Sequence, residues 1–177
     1  MKTTLLAIIS LMFLFAQCKK EHDAGYYFGS AQAIINNNIT SFNKARGVAF
    51  HNTIDSVHLI FEKWNGSMSK EHLNFYPLAI NLNLPQYIKK INTNGSTLTS
   101  QYNTVTGDGD VTCDIYYIYE PDSLQNFITI TSYNPATKEI GGTFQATYLI
   151  DASRPKCVPS APDTVRIRNG QFYTKIF

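Results

Sequence analysis

The sequence predicts an all-β domain, folded as an antiparallel β-sandwich in preference to a closed or partly open β-barrel. Aromatic residues make up 13% of the chain and charged residues only 16%, and aromatic side chains favour pleated, half-buried surfaces. Short segments of alternating apolar and polar residues recur between Asn, Gly and Pro turn residues, as antiparallel strands require. The sequence contains no long amphipathic helical pattern. Such a set of short strands forms a sandwich or a barrel.

Turn residues separate four predicted strands in the first half of the chain. Asn37-Asn38 is expected to close a hairpin, because asparagine tolerates positive φ. Pro77 is expected at a sheet edge or a bulge, because proline cannot donate a ladder hydrogen bond. Pro85 predicts one short helical turn over residues 84–91. The four strands are 30–36, 39–50, 56–64 with Val57, Leu59 and Phe61 facing the core, and 72–82.

The alternation is clearer in the second half. In segment 111–120 it places Cys113 on the same face as Ile115 and Tyr117. Near the C-terminus, Asn169-Gly170 predicts two strands joined by a type I′ turn, with Arg166 lying across from Tyr173. The predicted strands are 111–120, 126–134, 140–151 and two within 164–177, and their core-facing residues include Ile128, Ile130, Phe144, Ala146, Tyr148, Ile150, Val165, Ile167 and Phe172.

An apolar run from Leu5 to Ala16 indicates export. It has the length of a secretory signal and is too short for a permanent transmembrane helix. Its end, Phe15-Ala16-Gln17-Cys18, resembles the lipobox of bacterial lipoproteins, in which the cysteine receives a diacylglycerol before cleavage. The resemblance implies lipidation of Cys18, and several acyl chains together give stable membrane anchoring. The alternative is an ordinary secreted protein, cut near Gln17, with Cys18 as a spare thiol.

Cleavage before Cys18 divides the chain into a signal peptide (1–17), a lipidated tether (18–28) and a single β domain (29–177). The remaining 160 residues of 177 suffice for one core and are too few for two domains. Without Lys2, the mature chain has 14 basic and 13 acidic side chains, and this balance argues against nucleic-acid binding. Lys19, which follows Cys18, predicts sorting to the outer membrane, and "KKEHD" resembles signals for the cell surface.

Cysteine use agrees with export. Once Cys18 is lipidated, Cys113 and Cys157 remain, and an even pair in an oxidising compartment predicts one disulfide. Two separate buried thiols are the alternative. Cys157 lies in a Pro-rich connection, residues 151–163, that has no strand pattern, and a bond to strand 111–120 would tether this connection. The two α-carbons must then lie within about 7 Å of each other.

The segments "ITITSYNPATKEIGGTFQATYL" and "PDTVRIRNGQF", together with the lipobox, resemble a family of small Bacteroidetes lipoproteins classed as a domain of unknown function. The resemblance covers residues 126–177 and implies an exported β lipoprotein. It carries over no catalytic residue, because the family has no agreed activity. The matching residues are Gly142, Thr143, Phe144, Val165, Ile167, Asn169, Gly170 and Phe172.

The sequence predicts no catalytic residue, no cofactor and no metal site. Ser56 and His58, next to Asp55, raise the alternative of a small exported hydrolase. However, β-carbons at positions i and i+2 of a strand lie about 7 Å apart, which is long for a direct hydrogen bond. No cysteine or histidine has a second ligand at metal-binding spacing. The "GDGD" segment at 107–110 is interpreted as a turn, because it lacks the later ligands of a calcium loop.

We therefore expect a non-catalytic binding or envelope module whose ligand is a glycan, a peptide or a partner protein. The aromatic residues expected to be exposed for binding are Trp64, Tyr76, Tyr87 and Tyr102; the alternative places them in the core of a mainly structural protein. Three Asp-Ser/Thr-apolar motifs resemble O-glycosylation sites of exported Bacteroidetes proteins, although Asp-Ser also begins strands. The modified residues would be Ser56, Ser123 and Thr164.

Overall fold

The computed structural model describes residues 27–50, 53–90, 97–107 and 111–177. The predicted signal peptide, Cys18 and the tether as far as residue 26 lie outside these residues, as does most of the "GDGD" segment. Among the residues described, no helix has the length and apolar character needed to cross a membrane.

The described residues form eleven strands and one 3₁₀ helix. The helix spans Glu120–Gln125. The strands are β1 (Gly29–Ile35), β2 (Asn38–Phe42), β3 (Lys44–Phe50), β4 (Thr53–Asn65), β5 (Met68–Ala79), β6 (Gln86–Tyr87), β7 (Thr99–Thr106), β8 (Val111–Ile118), β9 (Phe127–Asn134), β10 (Glu139–Ile150) and β11 (Thr164–Lys175).

All the strands belong to one antiparallel sheet, so the all-β prediction is confirmed. The main pairing path runs β2-β1-β11-β10-β8-β7-β5-β4-β3, with β9 and β6 branching from β10. The path ends at β2 and β3, which do not pair with each other, and it is not closed into a barrel, so the closed-barrel alternative is wrong. The sheet coils so that its two halves face each other across one core, which is consistent with the predicted sandwich.

Phe61 on β4 lies at the centre of this core. Its ring centroid is 5.8 Å from that of Phe75 on β5, 5.4 Å from Phe144 on β10 and 5.3 Å from Phe172 on β11. Since β4 and β11 lie near opposite ends of the pairing path, these contacts join the two halves of the sheet. The inward face predicted for β4 is confirmed, because Val57, Leu59 and Phe61 are all fully buried.

The predicted C-terminal hairpin is wrong, because β11 is one continuous strand with a bulge at Asn169. This asparagine has φ of 53°, and the pairing of β11 with β10 shifts by one residue beside it. A Cβ added to Gly170 would lie 2.6 Å from the Phe144 carbonyl oxygen, so the glycine serves close packing. Arg166 therefore pairs with Thr147, whereas Tyr173 pairs with Gly141.

The helical turn predicted at 84–91 is also wrong, because its residues make sheet contacts. Gln86 and Tyr87 form β6 against β9. The Gln86 amide also accepts from the Ala79 N–H at 3.0 Å and donates to its carbonyl at 2.7 Å. These bonds satisfy the backbone N–H and carbonyl at the end of β5. The extended backbone after β6 buries Ile88 completely.

The predictions for the first hairpin and for Pro77 are both confirmed, the hairpin with its turn moved by one residue. The first hairpin is confirmed as β1–β2, but its turn is Asn36-Asn37, both with positive φ. Pro77 does lie at a bulge, where the pairing of β4 with β5 shifts between Val57 and Leu59.

The disulfide between Cys113 and Cys157 is confirmed, with the α-carbons 5.4 Å apart. It holds the 151–163 connection, which contains no strand, against β8. The Cys157 N–H also donates to Asp114 Oδ1 at 2.9 Å. A bulge in β8 buries both Cys113 and Asp114. Beyond it the predicted phase is wrong, because Tyr116 and Ile118, and not Ile115 and Tyr117, face the core.

The two ends of the domain meet at a seam between β3 and β11. The Phe28 N–H donates to the Ala45 carbonyl at 3.0 Å, and the Phe177 N–H donates to the Gly47 carbonyl at 3.0 Å. The Thr174 hydroxyl contacts the carbonyl oxygens of both Phe28 and Ala45. The start and the end of the β domain are therefore fixed at the same place.

Candidate functional site

The outer face of strands β3, β4, β5, β7 and β8 carries rows of polar side chains. Residues directly opposite in an antiparallel pair point to the same face. Through the backbone register, one residue from each of the five strands lies in a row across the sheet. A second row of five residues lies next to the first, two residues further along each strand. The rows are Arg46, Ile60, Asn74, Gln101 and Tyr117, and Lys44, Glu62, His72, Asn103 and Ile115.

Three buried polar atoms on this face have no hydrogen-bond partner among the described residues. They are Arg46 Nε, His58 Nε2 and Asn103 Oδ1. Leaving a buried polar group unpaired costs about 1–3 kcal/mol, so native structures contain few such groups. Three of them on one sheet face make this face a candidate for a binding site.

A cavity of about 240 Å³ opens on this face. His58 comes from β4, Asn74 and Tyr76 from β5, and Gln101 from β7. Tyr76 is 41% exposed, and its ring centroid lies 5.5 Å from the His58 imidazole. The complete lining is His58, Asn74, Tyr76, Thr99, Ser100 and Gln101; none of these residues carries a carboxylate or a permanently charged cation.

Burial lowers the pKa of His58 below its ordinary value of 6.5. A hydrogen bond with the Asn74 side chain opposes this shift, and the charge of Arg46 adds to it. At neutral pH the imidazole is therefore uncharged. In this form one ring nitrogen donates a hydrogen bond and the other accepts one. Because His58 makes one hydrogen bond with Asn74, only its second ring nitrogen, Nε2, is without a partner among the described residues.

Since the unfolded chain binds a proton at His58 that the folded domain excludes, this residue should lower stability as the pH falls below about 6.5. We expect His58→Gln to lose less unfolding free energy than the wild type between neutral pH and about pH 5. Urea unfolding at the two pH values measures the difference. His72→Gln, on the same face, retains His58 and should keep the wild-type acid loss. Equal acid losses in wild type and His58→Gln would contradict the assignment.

The four aromatic residues predicted to bind a ligand do not lie together. Tyr76 lines the cavity, and Tyr87 is exposed elsewhere, in contact with Phe127. The predicted exposure of Tyr102 is wrong: it is buried, and its hydroxyl donates to Glu71 Oε2 at 2.7 Å. Burial and the neighbouring Glu71 carboxylate raise the pKa of Tyr102, so it stays a protonated core donor.

Trp64 belongs to a separate aromatic and cationic cluster. The Lys44 ammonium lies 3.4 Å from its ring centroid, and the Tyr27 ring meets it edge-on at 6.5 Å. The indole N–H and the Tyr27 hydroxyl both donate to Glu62 Oε2, at 2.7 and 2.8 Å. These contacts occupy one face and the polar edge of Trp64, and they satisfy the buried carboxylate.

The residues of the hydrolase alternative are only partly brought together. Ser56 and His58 share the outer face of β4, but the cavity is lined by His58 without Ser56. Asp55 has no described side chain. The described residues contain no group of three or more His, Cys, Asp or Glu placed to hold a metal ion.

The three O-glycosylation motifs lie in different settings. Ser56 is the fourth residue of β4, Ser123 is in the 3₁₀ helix, and Thr164 begins β11. Each of the three is half-buried. Only Thr164 fits the alternative that the motif begins a strand.

A larger cavity of about 420 Å³ lies between the β1–β2 turn and β11. Arg166 and Arg168 line it beside Asn36 and Asn37. The Arg168 guanidinium donates to the carbonyls of Ala146 and Ile167 and to the Thr147 hydroxyl. These bonds turn Arg168 toward the protein, but the exposed Arg166 gives this cavity a positive charge that the one at His58 lacks.

Comparison with protein-family models, with curated proteins and with solved structures finds no match. The cavity at His58 was not predicted from the sequence, because its residues come from three strands. The one local pattern that pointed to this region was the Ser56–His58 pair. It lies on the face of β4 where the cavity opens, but it suggested a hydrolase and not a binding site.

Proposed function

We propose that this protein is an exported lipoprotein, anchored to the outer membrane through Cys18, whose β domain binds a neutral carbohydrate without catalysing a reaction. The observation that carries the binding role is the cavity at His58, where an exposed tyrosine stands beside uncharged hydrogen-bonding groups. The lipobox and the resemblance to small Bacteroidetes lipoproteins support the anchor. Surface exposure of the domain is part of the same proposal.

The cavity chemistry suits a sugar ring. Asn74 and Gln101 carry amide donors and acceptors, and neutral His58 has one ring nitrogen, Nε2, without a partner among the described residues. The exposed Tyr76 ring provides an apolar surface on which the C–H face of a sugar can lie. Pockets for drug-sized ligands measure about 300–1,000 Å³, so a cavity of about 240 Å³ fits one ring of a longer glycan. A lining free of carboxylates supports binding over hydrolysis.

An array of neutral oligosaccharides, followed by calorimetry with the best binder, tests the binding role. Tyr76→Ala should weaken binding by roughly tenfold or more, which corresponds to about 1.4 kcal/mol, because the stacking surface is lost. Asn74→Ala should also weaken binding. Tyr87→Ala is the matched control, since Tyr87 is similarly exposed but does not line the cavity. The binding proposal fails if no neutral oligosaccharide binds, or if Tyr76→Ala binds as tightly as Tyr87→Ala.

Metabolic labelling with a clickable fatty acid tests the anchor. The mature protein should carry the label and sediment with membranes, whereas Cys18→Ser should lose the label and become soluble. A single acyl chain binds membranes only marginally. Full retention of the protein in the membrane fraction therefore requires several acyl chains on Cys18. An unlabelled wild-type protein, or a Cys18→Ser variant that still sediments with membranes, would exclude anchoring at this cysteine.

A further inference from the structure

Exposed aromatic side chains and half-buried basic ones surround the point where the chain enters the sheet. Phe28, Tyr173 and Phe177 are 41%, 46% and 43% exposed. The rings of Phe28 and Tyr173 lie 6.0 Å apart, and the Lys175 ammonium lies 6.0 Å from the Phe28 ring. We name this surface the aromatic seam; it comprises Tyr27, Phe28, Lys44, Trp64, Tyr173, Lys175 and Phe177.

The seam has the composition of a surface that meets a lipid bilayer. Trp and Tyr concentrate at the membrane–water boundary, where the ring enters the headgroup region and the polar tip stays hydrated. Lysine near an anionic membrane surface contributes about 1 kcal/mol of attraction. Lys44 and Arg46 each lie 5.0 Å from the Tyr27 ring. Two carboxylates face these cations: Glu62 accepts from Tyr27 and Trp64, and Glu139 pairs with Lys175 across the strands.

The position of the seam in the chain indicates that its binding partner is the lipid bilayer. Only eight residues lie between Cys18 and Tyr27, and the nine steps from one to the other span at most about 32 Å at about 3.3–3.6 Å per step. A domain of about 150 residues is itself about 35–40 Å across. A lipid on Cys18 therefore keeps the seam closer to the bilayer than the opposite side of the domain.

We propose that the aromatic seam docks the β domain onto the anionic lipid surface in which Cys18 is anchored. This inference rests on the proposed lipid anchor but not on the proposed carbohydrate. Docking fixes the orientation of the domain. His58 is directly opposite Val48 of β3, one strand away from the seam, so the binding cavity then opens beside the membrane surface.

The test uses the full lipidated protein in vesicles of phosphatidylethanolamine and phosphatidylglycerol whose acyl chains carry bromine, a contact quencher of tryptophan. Trp64 is the single tryptophan of the chain and belongs to the seam. We expect brominated vesicles to lower its emission by roughly one third or more relative to unbrominated ones, because an interfacial indole lies at headgroup depth. Replacing phosphatidylglycerol with phosphatidylcholine should weaken the quenching.

A triple variant, Phe28→Ser, Tyr173→Ser and Phe177→Ser, should lose most of the quenching. The matched control replaces Leu82, Leu84 and Leu124 with serine; these leucines are exposed to a similar or greater degree and lie outside the seam. Co-flotation with the vesicles reports the anchor separately. Wild-type protein that floats with the vesicles but shows no quenching would overturn docking and leave the anchor intact. A dimer in which the two copies bury the seam against each other would have the same meaning. A mature protein without lipid would overturn both.

Discussion

Phe61→Ala is expected to lower the free energy of unfolding by about 3–5 kcal/mol, as truncation of a buried phenylalanine does. The ring is fully buried and contacts Phe75, Phe144 and Phe172 from three other strands. Because these strands belong to opposite halves of the sheet, the cavity left by alanine cannot close by a shift of one strand. Urea unfolding followed by far-ultraviolet circular dichroism measures the loss.

Leu124→Ala is the control for Phe61→Ala. Leu124 is 75% exposed, and surface substitutions of this kind usually change stability by less than about 0.5 kcal/mol. Phe61→Leu, which refills part of the volume, should fall between the two. If Phe61→Ala lost no more stability than Leu124→Ala, the two halves of the sheet would not share the core described here.

Removal of the Cys113–Cys157 bond is expected to cost roughly 3–4 kcal/mol in the chain-entropy description of a disulfide. The bond closes a loop with a sequence separation of 44 residues, so the unfolded chain gains substantial freedom when it is cut. The double variant Cys113→Ser, Cys157→Ser isolates this effect without leaving a reactive thiol. Thermal unfolding with and without reductant measures it.

Reductant should lower the melting temperature of the wild type and leave that of the double serine variant unchanged. The hydrogen bond from the Cys157 N–H to Asp114 remains available in the double variant, so part of the 151–163 connection can keep its place. A wild-type melting temperature that does not respond to reductant would mean that the bond contributes no net stability.

The sequence predicted strand positions well wherever a single alternating pattern continued without interruption. Ile128, Ile130, Val165 and Ile167 are buried as expected, because period-two alternation is a local property of one strand. The predicted turn at Asn169-Gly170 failed because asparagine with positive φ suits a bulge as well as a turn. The choice depends on the close approach of Gly170 to Phe144 on β10, a contact between residues far apart in sequence.

The same limit applies to side-chain environments. The bulge that reverses the phase of β8 depends on its pairing with β7, and the burial of Tyr102 depends on Glu71 of β5, its hydrogen-bond partner. The cavity at His58 requires the register of three strands. The disulfide, in contrast, could be predicted without knowing the strand register, because only two cysteines remained once Cys18 was set aside.

The place of β11 in the sheet limits the order in which the domain can fold. It is the last of the described strands along the chain, yet it pairs with β1 on one side and β10 on the other. Until it arrives, both neighbours have unpaired backbone edges of the kind that promotes aggregation. The core also lacks Phe172 at that stage. The described domain therefore completes its folding only when β11 has taken its place between β1 and β10, and the strands made before it wait without a finished core.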